Sequence, residues 1–240
     1  MNTIVRKLGI WLIIVIVSSI PTYLFYENTK STVIEQAGNE AKAIAYVVAA
    51  SVSKDAEAYA KLYDSAELGI NGVNQVEYQR MLAYFQSLRA HTSASYIFTE
   101  KKISESEIVY VLDAENPKSE NFSPIGSKDS LTEIENSVFT TGEPAFTGLI
   151  DDPNWGPFIT GFAAIRDEKN DTWLGIAGVD YSAEYVNKML GNLRHMLVYT
   201  HIVIALITLI SVHWMIDNQE KKLNTDYLTR LKSKRSFKMT

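Results

Sequence analysis

Two uncharged apolar runs do most to limit what this chain can become. Residues 8–26, LGIWLIIVIVSSIPTYLFY, carry no Asp, Glu, Lys or Arg over 19 positions, and residues 196–216, MLVYTHIVIALITLISVHWMI, carry none over 21. At about 1.5 Å of rise per residue, ~20 apolar residues cross a ~30 Å hydrocarbon core. Both runs are therefore read as transmembrane helices rather than as buried helices of a soluble core. The rival reading of the first run is a cleaved signal peptide, but no small-x-small cleavage site follows it. Bulky Tyr23, Phe25 and Tyr26 stand there instead.

Charge orients the two spans. Arg6 and Lys7 precede the first, and Lys221, Lys222, Arg230, Lys232, Lys234, Arg235 and Lys238 follow the second. Residues 27–194 hold 14 Lys and Arg against 25 Asp and Glu, a net of −11. Lys and Arg near spans stay on the cytoplasmic side. Residues 1–7 and the linker 217–225 are therefore expected in the cytoplasm, and the acidic segment 27–194 outside. There is no cysteine, so that segment holds together without disulfides, and it is long enough for an ordinary single core.

Within the outer segment the hydrophobic period changes once. Val33, Ala37, Ala41, Ile44, Val48 and Val52 recur at threes and fours, which predicts one long helix over residues 29–63 continuing the first span. A second helix is expected from Asn74 to about His91, with Asn74 and Glu77 at capping-box spacing. From there the runs are short, β-branched and aromatic. They predict strands at 95–99, 107–113, 144–150, 157–166 and 172–180, with RDEKND at 166–171 as a hairpin loop. Ser130-Leu-Thr-Glu133 reads as a capping box opening a short helix that ends near Gly142, and a last helix starts at about Ser182. Helices first and then an antiparallel sheet of about five strands make an α+β domain.

The stretches VYVLDAENPKSENFSPIG and DDPNWGPFITGFAAIRDEKNDTWLGIAGVDYSAEYV, with a short helix between them, resemble an extracytoplasmic Cache domain, the PAS-like sensor of bacterial membrane receptors. The resemblance lies in the strand ending at Asp113, the Pro124-Ile125-Gly126 turn, Trp155-Gly156-Pro157, and Gly178-Val-Asp180 closing the sheet. It implies a long membrane-linked helix, a curved antiparallel sheet and a small-molecule pocket on that sheet.

Candidate ligand contacts gather at two places on the strands. Asp180 ends an apolar run, where a buried carboxylate persists only if paired or hydrogen-bonded. The resemblance implies that it contacts a ligand amine; the alternative is an N-cap for the following helix. Trp155, Phe158 and Thr160 are placed to line the same cleft, and aromatic walls suit a cationic ligand. Tyr96, Tyr110 and Asp113 sit on the first two strands. The arginine-and-aromatic pattern that marks the amino-acid-binding subset is absent, Arg89 being the nearest basic residue, so amines and other small metabolites stay open beside amino acids. His91, His195, His201 and His213 show no metal-ligand spacing; His201 and His213, inside the second span, read as helix–helix hydrogen-bonding residues or interface residues.

The last fifteen residues, DYLTRLKSKRSFKMT, resemble the entry to the GGDEF domain of diguanylate cyclases. Asp226, Leu228, Thr229, Leu231, Arg235 and Phe237 match its usual pattern, and Arg230, Ser233 and Lys234 depart from it. The alternative is a polybasic segment held by anionic lipid. The resemblance implies a two-pass sensor in the bacterial inner membrane, coupled to cyclic di-GMP synthesis. The catalytic residues of that domain are not in these fifteen, so this chain as given is expected to have no catalytic, cofactor or metal site, GTP and Mg belonging to the parent cyclase. Expected partners are a small-molecule ligand (an amine or amino acid), membrane lipid and a second copy in a homodimer, with no nucleic acid. The alternative is a non-catalytic receptor of chemoreceptor or histidine-kinase type with the same sensor.

Overall fold

The computed structural model describes residues 3–152 and 156–224, so Trp155 and the tail 226–240 lie outside the described residues. The chain forms two compact units. One is Ser31–Met189; the other joins the segments Met1–Lys30 and Leu190–Thr240.

The second unit holds the two apolar runs, which lie in helix α1 (Thr3–Ser53) and helix α5 (Ala183–Asn224). Both helices are long and apolar enough to cross a membrane. Ile13, Leu24, Ile210 and Trp214 are each at least 60% exposed. Several polar groups on this pair meet between its members. Trp11 Nε1 donates to the Ala205 carbonyl at 3.0 Å, and His201 meets Ser19 Oγ at 3.2 Å and Thr22 Oγ1 at 3.4 Å. At the far end Lys7 pairs with Asp217, which also meets His213 at 3.2 Å. His201 meets α1 through Ser19 and Thr22, and His213 meets it through Lys7 Nζ at 3.3 Å, while its contact with Asp217 lies within α5.

In the first unit α1 stops at Ser53, and α2 (Ala56–Ser65) begins after a two-residue break where one helix to residue 63 is expected. Tertiary partners make the break: Ser53 Oγ accepts the backbone N–H of Arg166 at 3.2 Å, and Asp55 pairs with Arg80. Two short 3₁₀ turns, Ala66–Leu68 and Ile70–Gly72, lead to α3 (Gln75–Ala90). Asn74 caps α3 by accepting from the N–H groups of Val76 and Glu77. The reciprocal half of a capping box is replaced, because Glu77 turns to Arg80 at 2.9 Å.

The sheet is antiparallel throughout. Its strands are β1 (Tyr96–Lys102), β2 (Glu107–Asp113), β3 (Lys128–Ser130), β4 (Ala145–Phe146), β5 (Ile150–Asp152), β6 (Gly156–Asp167) and β7 (Thr172–Ser182), in the order β3-β2-β1-β7-β6-β4 with β5 also on β6. The five expected strands are here; the 144–150 run is split into β4 and β5, and β3 is a short exposed edge. Helix α4 (Glu133–Thr141) covers one face, and its capping box is Thr132 with Glu135, two residues later than the spacing of Ser130 and Glu133 suggests. Ser130 is taken by the edge ladder, paired with Glu107. Gly142 closes α4 at φ 74°, a left-handed cap that glycine adopts without strain. A Thr132→Ala chain is expected to lose about 1 kcal/mol, read as a thermal midpoint ~3 °C lower.

Odd-numbered positions of β1, β6 and β7 face the helices. A Cβ at Gly161 would sit 2.1 Å from the Lys42 backbone nitrogen, so α1 lies directly on β6. Ala37, Ala41 and Ala45, all fully buried, keep the helix surface narrow there. Even-numbered positions face the opposite side, under α4.

Candidate functional site

The even face carries a cavity of about 280 Å³. Register explains which side chains reach it. Tyr96 pairs with Asp180, Phe98 with Gly178, and Asp180 in turn with Thr160 on β6, so these groups stand in neighbouring rows on one face. Gly178 leaves room for the Phe98 ring, which a Cβ there would strike at 2.3 Å. On β2 the pairing slips: Thr99 faces Leu112 but Glu100 faces Tyr110, leaving Val111 as the extra residue of a bulge. Strict alternation would send Asp113 and Tyr110 to opposite faces; the bulge turns both toward the cavity.

The aromatic part of the wall is a cluster around Phe98, whose ring meets Tyr110 edge-on at 5.6 Å and Phe162 at 6.4 Å, with Val138 of α4 behind. The polar part is acidic. Glu100, Asp113, Asp129, Glu135 and Asp180 all line the cavity, and no Lys, Arg or His is among its described lining residues.

Each carboxylate has a different setting. Asp180 Oδ1 accepts the Thr160 hydroxyl at 2.6 Å; Thr160 is fixed by Thr147, whose hydroxyl accepts the Thr160 N–H at 2.8 Å. Burial pushes Asp180 up to about 7, with the Asp113 and Glu135 carboxylates adding and the Thr160 hydrogen bond opposing. Asp113 organises the loop after β2, accepting the N–H groups of Glu115 at 2.8 Å and Ser123 at 2.7 Å. Burial still raises it to about 6. Glu135 is held in the α4 capping box, and its carboxyl too is raised by burial. Glu100 is 2% exposed, and its Oε2 has no hydrogen-bond partner among the described residues. Burial first, then the carboxylates of Glu135, Asp180 and Asp129, raise it well above the usual carboxylate range.

Six of the seven positions singled out in the sequence, Tyr96, Tyr110, Asp113, Phe158, Thr160 and Asp180, line this one cavity. Trp155 lies outside the described residues. The Tyr96 hydroxyl accepts Asn121 Nδ2 at 2.9 Å, and Tyr110 donates to Asp129 at 3.3 Å. Asp180 is not a helix cap: β7 continues to Ser182, whose hydroxyl accepts the Tyr185 N–H at the start of α5. Asp151 and Asp152 lie on β5. Arg89 does not reach the cavity, being paired with Glu115 at 2.8 Å and donating to the Ser95 carbonyl.

Sequence reasoning misses Phe98, Glu100, Asp129 and Glu135. Alternation would have found the first two, since Tyr96, Phe98 and Glu100 share a face once β1 is run past Thr99. Glu135 is legible only from the correct capping box.

No family model and no curated protein matches this sequence. Several solved structures share an arrangement of elements. The ligand-binding domain of the Campylobacter jejuni chemoreceptor Tlp3, in complex with L-valine, is 14% identical over 68% of this chain and 66% of that one, at a TM-score of 0.34. The ligand-binding domain of the Pseudomonas aeruginosa amino-acid chemoreceptor PctC, in complex with GABA, is 12% identical over 74% and 65%, at 0.38. A GAF domain of A. aeolicus nlh2 is 10% identical over 61% and 96%, at 0.31. The chain thus spans under two thirds of the PctC domain's length.

Proposed function

We propose that this chain is the sensing part of a two-pass membrane receptor. Its acidic domain, of Cache type and outside the membrane, binds a small cationic amine, and its cytoplasmic output is a GGDEF domain making cyclic di-GMP from GTP. The composition of the cavity wall carries the ligand class. Five carboxylates and no described basic side chain favour a cation, and aromatic rings beside them suit an ammonium. An amino acid would bring its own carboxylate into that wall with no partner, and an unpaired buried charge is costly.

The basic flanks of the spans support the topology. The run DYLTRLKSKRSF supports the output, and the output supports a homodimer, because two GGDEF domains must meet to make one cyclic product. Asp180 lies two residues before the end of β7, and α5 begins at once after it. Tyr181 stacks on Tyr185 at 4.6 Å across that junction. A ligand bound to Asp180 therefore acts beside the start of the second span's helix. It shifts the receptor to the extent that it binds one arrangement of that junction better than another.

The test is titration calorimetry on the full chain in lipid nanodiscs with n-pentylamine and with norvaline, which has the same carbon count plus a carboxylate. The amine is expected to bind and norvaline to bind at least 10-fold more weakly. An Asp180→Asn chain should bind the amine at least 30-fold more weakly. Equal affinity for both compounds, or an indifferent Asp180→Asn, would sink the ligand class. For the output, cyclic di-GMP in cells carrying the native gene should respond to the amine and cease to respond with Asp180→Asn.

A further inference from the structure

The carboxylate that Asp180 does not explain is Glu100. It is four residues along β1 from Tyr96, the partner of Asp180, and on the same face. At 2% exposed it is as buried as the apolar core, yet its Oε2 finds no partner among the described residues while the side chain lines the cavity. Buried polar atoms are nearly always hydrogen-bonded, and one that is not marks a place for a missing partner.

The described groups around it supply no cation. Tyr110 faces it from β2 and gives its hydroxyl to Asp129 on β3, Glu135 faces it from α4, and Asp180 stands beyond on β7. Lys102, next along that face of β1, is turned to Glu105 and Asn136, each at 3.0 Å. Lys128 on β3 is turned to Glu107 at 3.5 Å.

We propose that Glu100 is the anchor for a second ammonium group, so that the cavity takes a linear aliphatic diamine with one nitrogen at Asp180 and the other at Glu100. This rests on the amine-sensor reading and narrows it. A strand rise of about 3.4 Å per residue separates the two positions by ~13 Å along the sheet. Removing ~3 Å of N–H···O contact at each end leaves ~7 Å between nitrogens, the span of about five methylenes. The Phe98 and Phe162 rings stand in the Gly178 row, between the rows of Asp180 and Glu100, as an aliphatic chain requires.

The experiment compares 1,5-diaminopentane with n-pentylamine on the full chain in nanodiscs, for the native sequence, Glu100→Gln and Asp180→Asn. The diamine should bind the native chain at least 10-fold tighter than the monoamine. Glu100→Gln, nearly isosteric, should abolish that ratio. Equal affinities for the two compounds in the native chain, or a ratio that survives Glu100→Gln, overturn the diamine assignment alone. Failure of both amines to bind overturns the amine sensor itself and this assignment with it. A thermal melt of Glu100→Gln at pH 8 serves as the folding control, and its midpoint is expected at or above the native value because a buried carboxyl has been replaced by an uncharged amide.

Discussion

A Gly161→Val chain is expected to lose about 3 kcal/mol or more, enough to lower the thermal midpoint of the sheet domain by ~10 °C. Small-to-large changes in a packed interior usually cost ~1–3 kcal/mol because side chains shift out of the way. Here the obstacle is backbone: a Cβ at Gly161 would lie 2.1 Å from Lys42 N and 2.3 Å from the Ala41 carbonyl carbon. Helix α1 can relieve that only by lifting off β6, which would open the contacts that bury Ala37, Ala41 and Ala45. With typical stabilities of ~5–15 kcal/mol, a loss of this size is a large share of the total, and at ~2–4 °C per kcal/mol it is easily read in a melt followed by circular dichroism. Gly148, with open space around its Cβ position, is the control, and Gly148→Ala should melt within about 2 °C of the native chain. If Gly161→Val also melts there, α1 does not pack on β6 as described.

What the sequence shows of this fold follows from what is periodic in it. The two apolar runs, the Val and Ala stripe of α1, the Asn74 cap and the long strands β6 and β7 are all legible, because burial repeats at 3.6 or 2.0 residues and leaves a visible pattern. The misses are local exceptions that tertiary contacts impose. The break at Lys54 and Asp55 leaves the apolar stripe nearly unchanged; its causes, Arg80 and the Arg166 N–H, lie 25 and more than 100 residues away. The split of residues 144–150 and the edge strand β3 come from neighbours in the sheet. The cavity was half visible. Asp180 and Thr160 stand out as polar groups in apolar runs, whereas Glu100 lies in the charged run TEKK, which reads as solvated surface until the register of β1 is known. The bulge at Val111, which brings Tyr110 and Asp113 to one face, has no glycine or proline to announce it.

Between pH 5 and pH 8 the unliganded domain is expected to lose stability while its affinity for 1,5-diaminopentane rises. Unfolded Asp and Glu titrate near 4. Burial raises Asp180 to about 7 and Asp113 to about 6, and it holds Glu100 well above the usual carboxylate range. Between the unfolded and folded values the folded chain holds more protons, so each unit of rising pH favours the unfolded state, until the folded group has also ionised. For Asp180 that window runs from about 4 to 7, with a cost on the order of 4 kcal/mol by its upper end. The ligand's ammonium groups, with the ~10 pKa of a lysine amine, stay charged throughout. They bind ionised carboxylates, so each proton that binding must displace weakens affinity about tenfold per unit well below the pKa of its group, or ~50-fold at pH 5 relative to pH 7 from Asp180 alone. The groups facing Asp180 from β6, β1, β2 and α4 are Thr160, Tyr96, Asp113 and Glu135; no His is among the described lining residues to give a slope of opposite sign. Asp180→Asn should therefore flatten both profiles, raising the midpoint of the empty domain at pH 7 while lowering diamine affinity there. Calorimetry at three pH values and melts in the same buffers would decide it: an affinity that is flat or falling from pH 5 to 7 means that the ligand does not meet the buried carboxylates.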